Sequence, residues 1–198
     1  MKETLKELDF VTAAQLLIVE VASIKAVCKV EAPKGGFFID DRPAILYEPF
    51  TFGRLTKHIH DNTVIQIDNI NYPLSLKGRW NRERAVYGPS TIQYYKLDAA
   101  KKLDEEAALK CCSWGKFQIL GENYKEAGFD FVHAFVDAMQ IGEKEHLTAF
   151  VKYIKSRKLD EALRVRDWKK FALKYNGPGY EQNQYDIKLE KAYREYLT

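Results

Sequence analysis

Val19–Phe52 reads VEVASIKAVCKVEAPKGGFFIDDRPAILYEPFTF. An apolar pattern at helical spacing runs to Glu31, and then come Pro33, the glycines Gly35 and Gly36, the phenylalanines Phe37 and Phe38, and a short strand that delivers Glu48. The C-terminal end of a helix carries roughly half a negative charge, so a carboxylate there is disfavoured in its ionised form. Shielding by Phe37 and Phe38 acts in the same direction, lifting the carboxyl from about 4.3 towards the range of a general acid. Glu48 supplies a second carboxylate in unlike surroundings, and two such groups are the minimum for cleaving a glycosidic bond. Read alone, Glu31 is more simply a solvated carboxylate at a helix end.

The 198 residues, 46% hydrophobic and 13% aromatic, allow one globular domain with a substantial core, or a large lobe with a smaller one. A net charge of +3, from 31 basic and 28 acidic residues, is too small to argue for nucleic acid as a partner. Three cysteines, Cys28 and the adjacent Cys111 and Cys112, make no disulfide framework and imply synthesis in a reducing compartment. The opening MKETLKELDF has no apolar core of a signal peptide, and no run reaches the roughly 18 apolar residues of a membrane span. The expectation is a protein made in a cytoplasm, with no stable membrane insertion.

Outward from the opening stretch, Thr4–Phe10 reads as a polar lead-in, followed by helices over Thr12–Glu20 and Ala22–Glu31 with Ser23 as a cap. The pair also fits a DNA-binding helix-turn-helix, although its second helix offers only Lys25 and Lys29 to a groove. Ala44–Tyr47 is the best strand. Gly53–Pro89 is unpatterned, a length that is functional or hides short elements. Its Tyr72, Trp80 and Tyr87 are candidates for stacking on sugar rings, or structural aromatics; His58, His60 and Asp61 give only a weak metal spacing, and no metal or other cofactor is expected. Thr91–Cys112 reads as one helix with an apolar stripe of Leu97, Ala100, Leu103, Ala107 and Leu109. Further helices are predicted near Phe129–Gln140, Glu143–Arg157, Asp160–Tyr175 and Asn183–Leu197, with a turn at Asn176-Gly177-Pro178-Gly179.

Ser113–Gly121, SWGKFQILG, places a small residue, a glycine and a glutamine where the chain passes close to a ligand: Gly115 permits approach, and Gln118 both donates and accepts hydrogen bonds. This segment resembles the glycine-x-x-glutamine signature of goose-type lysozymes and lytic transglycosylases. With Glu31, Gly36-Phe37, Arg42-Pro43, Ile45–Glu48 and Tyr175-Asn176-Gly177, the fuller order of motifs resembles the N-acetylmuramidase family of bacteriophage and prophage endolysins, from about Thr12 to Tyr193. The chain departs from that pattern at Ala32, where a serine is usual, and at Pro49 and Phe50, where arginine and histidine are usual; the second departure puts the role of Glu48 in doubt.

The resemblance implies a mainly α (α+β) fold, a lysozyme-like helical domain with a small β-hairpin or irregular lobe after Glu31, forming one catalytic domain over residues 1–198 without a separate wall-binding module. It implies cleavage of the β-1,4 bond between N-acetylmuramic acid and N-acetylglucosamine in a peptidoglycan glycan strand. Glu31 would be the acid, and Glu48 a nucleophile, a base or a stabiliser of positive charge. Substrate contacts are expected from Phe37, Ser113, Trp114, Gly115, Gln118 and Asn123, from Tyr124 and Tyr175 as stacking walls, and from Asn176 as either a contact or a helix-ending turn. A monomer is expected, made in a bacterial host and reaching the wall after holin-assisted release or lysis. Lytic transglycosylase chemistry on the same bond, and a non-catalytic wall-binding or phage structural protein, stay open on these residues.

Overall fold

A computed structural model describes residues 2–32, 35–78, 84–177 and 179–197, with side chains from residue 86 in the third stretch's first helix. Pro33, the candidate platform Trp80 with its neighbours Arg79, Asn81 and Arg82, and Pro178 lie outside the described residues. The chain runs α1 (Glu7–Leu17), α2 (Val21–Glu31), β1 (Ile45–Tyr47), α3 (Pro49–Leu55), β2 (Val64–Ile67), β3 (Ile70–Pro73), α4 (Arg84–Tyr87), α5 (Gln93–Lys101), α6 (Glu105–Cys111), β4 (Cys112–Trp114), β5 (Ile119–Leu120), α7 (Val132–Met139), α8 (Glu143–Ser156), α9 (Asp160–Arg164), α10 (Trp168–Asn176) and α11 (Tyr185–Glu195). This is the mainly helical, α+β architecture that the sequence predicts.

Helix α2 is the central strut. Ala22, Ile24, Ala26, Val27 and Cys28 are buried along it, and it packs on α1 and most extensively on α11. Such burial of an amphipathic stripe supplies most of a short helix's stability. Ser23 does not cap α2: Glu20 holds the N-cap position, and Ser23 is buried inside the helix. Helix α1 starts at Glu7, inside what reads as a lead-in, because Asp9 accepts a hydrogen bond from the Lys6 backbone amide at 2.8 Å and stabilises the first turn. The two helices meet at 111°, and no single helix among the described residues is long and apolar enough to cross a membrane. With most of α2 in the core, and Lys25 and Lys29 paired to Glu7 and Glu195, the helix-turn-helix reading has no free recognition face.

Two predicted helices are each divided in two. Asp104 accepts from the Ala107 amide at 2.9 Å and starts α6 afresh, leaving Leu103 on the surface instead of in the stripe. Asp167 does the same for α10, accepting from Lys170 at 3.0 Å. An aspartate at either place offers the backbone a cap that competes with helix continuation.

The unpatterned stretch hides a hairpin. β2 and β3 pair antiparallel, with Ile67 opposite Ile70, and Asp68 and Asn69 both take positive φ (50° and 63°), the two-residue turn that matches strand twist. Tyr72 and Tyr87 are buried, so of the two readings open for them the structural one holds. His58 faces Asp61 at 3.2 Å, and Asp61 accepts from Ser75 at 2.7 Å, so this carboxylate serves a loop. The other sheet has the order β1-β4-β5, with Ile45 opposite Trp114 and Ser113 opposite Leu120. It brings the end of the opening stretch against the SWG segment.

Gln93 at the start of α5 joins these parts. Its side-chain oxygen accepts from the Tyr47 amide at 2.8 Å, and its amide donates to the carbonyls of Tyr87 and Pro89, both at 2.9 Å. Replacing Gln93 with Leu leaves one buried donor and its carbonyl partners unsatisfied. The variant is expected to lose about 2–4 kcal/mol, measured as a drop in the urea midpoint; an unchanged midpoint counts against this anchoring.

Candidate active site

Glu31 occupies the last position of α2, where carbonyl groups already crowd negative potential. The chain must leave the helix here at once. Ala32 closes the last turn by donating to the Cys28 carbonyl at 2.9 Å, and Gly35 takes φ +80°. Residues 37–43 then fold back on themselves: the Phe38 amide donates to the Arg42 carbonyl at 2.8 Å, and Phe37 bridges Pro43. Ile39 sits fully exposed at the tip of this flap, while Arg42 lies 4.0 Å over the Tyr94 ring and pairs with Asp40.

Two clefts meet at Glu31. One, about 380 Å³, is lined by Glu31, Gln118, Asn123, Tyr153, Tyr175 and Asn176 among others. The second, about 530 Å³, takes in Glu31, Phe37, Phe38, Ala44, Gly115 and Gln118. Glu31 and Gln118 line both, so an extended ligand crossing from one to the other passes the carboxyl. Among the described residues, Glu31 is the one carboxylate in either lining.

Burial raises the Glu31 carboxyl to about 7; a hydrogen bond from Asn176 Nδ2 to Oε1, 3.1 Å, and the charge of Lys188 on α11 pull the other way without overcoming it. Asn176 therefore touches the acid itself, and Gly177 at the end of α10, with φ +79°, turns the chain away behind it. Tyr175 lines the first cleft, but its ring is stacked on Phe171 at 5.4 Å and its hydroxyl donates to the Phe117 carbonyl at 3.0 Å, which fixes it as wall.

Glu48 has different company. It is the residue before α3, lines neither cleft, and accepts from Ser113 Oγ at 2.8 Å and Thr51 Oγ1 at 3.4 Å. Burial raises its carboxyl, the two hydroxyls oppose that, and the Arg54–Glu122 pair nearby contributes charges of both signs. Ser113 is thus buried as the partner of Glu48 instead of facing sugar.

The remaining expected contacts divide. Gln118, at φ +49°, donates from Nε2 to the carbonyls of Gly115 (2.9 Å) and Ala44 (3.2 Å) while remaining exposed to both clefts. Phe37 and Asn123 each line one cleft. Trp114 is a correction: it is 2% exposed and its Nε1 donates to the Leu109 carbonyl at 3.0 Å, so it is core. Tyr124 is a second, outside both linings with Lys110 and Lys125 over its ring. Gly115 lines the cleft, yet its φ of +68° and lack of a Cβ serve His146, whose ring would lie 2.9 Å from an added methyl.

His146 and Glu143, a helical turn apart on α8, are what the sequence reading missed. Glu143 Oε1 accepts from the Gly36 amide at 2.8 Å and from Lys116 Nζ at 3.1 Å, and Oε2 accepts from Leu5 at 3.2 Å. His146 Nδ1 accepts from the Lys116 amide at 3.0 Å, while Nε2, 2.8 Å from the Met139 carbonyl, must carry the hydrogen. Phe37 stacks on its ring at 4.9 Å, and burial holds the imidazole below its usual value, favouring this neutral tautomer. Together they clamp the loop after Glu31 to the turn after Trp114. The signal in sequence was the Glu-x-x-His spacing, hidden beneath the apolar stripe of Leu147, Phe150, Val151 and Ile154.

A helical domain with a small sheet, carrying a buried carboxyl raised to about 7 at the junction of two clefts, is the equipment of a glycoside hydrolase with a lysozyme-like fold. The model of the N-acetylmuramidase family matches residues 20–197, and the chain belongs to that family of peptidoglycan hydrolases. The crystal structure of the Burkholderia AP3 phage endolysin superposes with a TM-score of 0.84 at 36% sequence identity, over 98% of this chain and 71% of that one. No curated protein matches the chain.

Because the native state holds the Glu31 proton to about 7 and the unfolded chain releases it near 4.5, this group's contribution to stability is whole below the unfolded value. It is lost as pH rises towards the folded one. Glu31→Gln, which cannot ionise, is therefore expected to be more stable than the wild type at pH 8, by about 2–3 kcal/mol. The gap closes towards pH 4. Thermal melts at both pH values check this, and a gap independent of pH contradicts the buried-acid assignment.

Proposed function

We propose that this chain is a phage or prophage endolysin that hydrolyses the β-1,4 bond between N-acetylmuramic acid and N-acetylglucosamine, with Glu31 as the general acid. The observation that carries the reading is the carboxyl held near 7 by burial where two clefts meet. In the reaction Glu31 protonates the glycosidic oxygen as the bond to the anomeric carbon breaks, and the sugar takes on oxocarbenium character. Asn176 keeps the carboxyl oriented through its amide, offering a neutral donor that does not strip the proton. Gln118, whose Nε2 is engaged by backbone carbonyls, offers its Oε1 to the strand as an acceptor from a fixed position. Phe37 and Asn123 complete the contacts on either side. Glu48 is the second carboxylate, favouring positive charge on the sugar from behind Ser113. The enzyme works as a monomer, made in the bacterial host and acting on its cell wall at lysis.

Glu31→Gln is expected to lower kcat on purified peptidoglycan by about a thousandfold or more with the fold intact. Glu48→Gln is expected to cost about tenfold to a hundredfold, with KM nearly unchanged. A Glu31→Gln enzyme retaining near-full lysis removes the assignment, and a Glu48→Gln enzyme as inactive as Glu31→Gln makes Glu48 a direct nucleophile or base. Mass spectrometry of the fragments is expected to show reducing-end muramic acid; an anhydro-muramic end would mean transglycosylation instead. For the wild type, kcat is expected to fall as pH rises above about 7, when Glu31 loses its proton.

A further inference from the structure

A third cavity lies outside the two clefts that hold Glu31. It has a volume of about 620 Å³, lies against the outer face of α2, and is lined by Phe10, Lys25, Lys29, Ala32, Lys116 and Tyr196 among others, with no carboxylate among its described lining residues. Ala32 and Lys116 also line the cleft that holds Glu31, so the two spaces abut within one residue of the acid. The lining is mainly apolar surface with ammonium groups set into it. Lys25 sits 5.8 Å from the Phe10 ring and 5.6 Å from that of Tyr196, and Lys29 lies 5.6 Å from Tyr196, an arrangement that steadies both cations over aromatic faces. Their carboxylate partners are on the outside: Glu7, 67% exposed, lies 2.7 Å from Lys25, and Glu195, 42% exposed, pairs with Lys29. Both pairs open to solvent on the carboxylate side, so a carboxylate arriving in the cavity competes with Glu7 and Glu195 for the two ammoniums, Lys25 being the more enclosed of them. Lys116 differs, because Glu143 holds it in the clamp and makes it a wall.

We propose that this cavity is a subsite for the peptide that branches from N-acetylmuramic acid, with Lys25 and Lys29 receiving its free carboxylates and Phe10 and Tyr196 packing against its apolar side chains. The proposal rests on the muramidase reading. A cleft that seats a muramoyl residue beside Glu31 must let the lactyl-linked peptide out close to the scissile bond, and the cavity begins at Ala32, next to the acid. Peptidoglycan peptides combine small apolar residues with free carboxylates, which matches an apolar lining set with cations.

The experiment compares kcat/KM on peptide-bearing glycan strands with the same strands stripped of peptide by an amidase. The wild type is expected to favour the peptide-bearing strands by about tenfold. Lys25→Ala with Lys29→Ala is expected to bring that ratio close to one, and Lys25→Arg with Lys29→Arg to keep it. Equal rates of the wild type on both strands, or an unchanged ratio in the alanine pair, overturns the subsite and leaves the muramidase reading standing. A wild type that releases reducing ends from neither strand overturns both. Should the alanine pair fail to fold in a thermal melt, Lys29→Gln alone is read at its half-exposed position; a reduced ratio supports the subsite, and an unaltered one overturns it.

Discussion

A carboxyl group that keeps its proton near neutrality must be withdrawn from water without a cation bonded to it, and the rest of the molecule is arranged around that condition at Glu31, where Lys188 acts only through its charge. Burial makes the ionised form costly, and the backbone carbonyls ending α2 add to the cost. The direct partner is an amide, Asn176 Nδ2, which bonds to either protonation state. A guanidinium in that place would form an ion pair, hold the carboxylate ionised and leave nothing to donate. The ends of α2 and α10 must therefore meet, and α11 brings this about by packing on both. Helix packing far from any substrate thus sets the proton affinity of the acid.

The same condition demands a rigid surround, since water entering beside Glu31 would restore its ordinary affinity. The loop after the acid is built from Gly35 and Gly36, whose freedom would invite such opening. Glu143 and His146 remove that freedom from behind: one carboxylate gathers Gly36, Lys116 and Leu5, and one imidazole is filled on both nitrogens and covered by Phe37. Both groups are nearly inaccessible. The clamp explains the two glycines better than ligand approach does, since a methyl on Gly36 or Gly115 would strike the His146 ring at 2.5–2.9 Å.

Much of this was readable in sequence. The helix ending at Glu31, the short strand before Glu48 and the strings of apolar residues in α8 follow from periodicity, and the order of motifs pointed to the family. Three things were not readable. Aspartates such as Asp104 and Asp167 end or begin a helix according to their backbone angles, and an apolar stripe passes over both without a break. The β2–β3 hairpin was hidden because Asp68 and Asn69 lack the glycine that marks such a turn, although both residues tolerate positive φ. Trp114 belongs to a motif that lines a cleft, yet its neighbours on β4 alternate sides: Ser113 faces Glu48 while Trp114 goes to the core. A motif fixes which residues occur near a site and leaves open which of them face it.

The two carboxyls illustrate how far that distinction reaches. Both are buried and both are raised by burial, so burial alone would make each an acid. They differ in the donors offered: Glu31 meets one amide, whereas Glu48 meets the hydroxyls of Ser113 and Thr51, with the opposed charges of Glu122 and Arg54 beyond. Hydrogen bonds donated to a carboxylate favour its charged form, so the donors oppose the effect of burial more at Glu48 than at Glu31. That difference runs in the direction a glycosidic cleavage requires, one group giving a proton to the leaving oxygen while the other offsets the positive charge left on the sugar. Ser113 reaches Glu48 because β4 pairs with β1, placing it opposite Leu46 on the strand that leads directly into Glu48. The strand pairing therefore does for the second carboxylate what helix packing does for the first, and the chemistry proposed for the site rests on both.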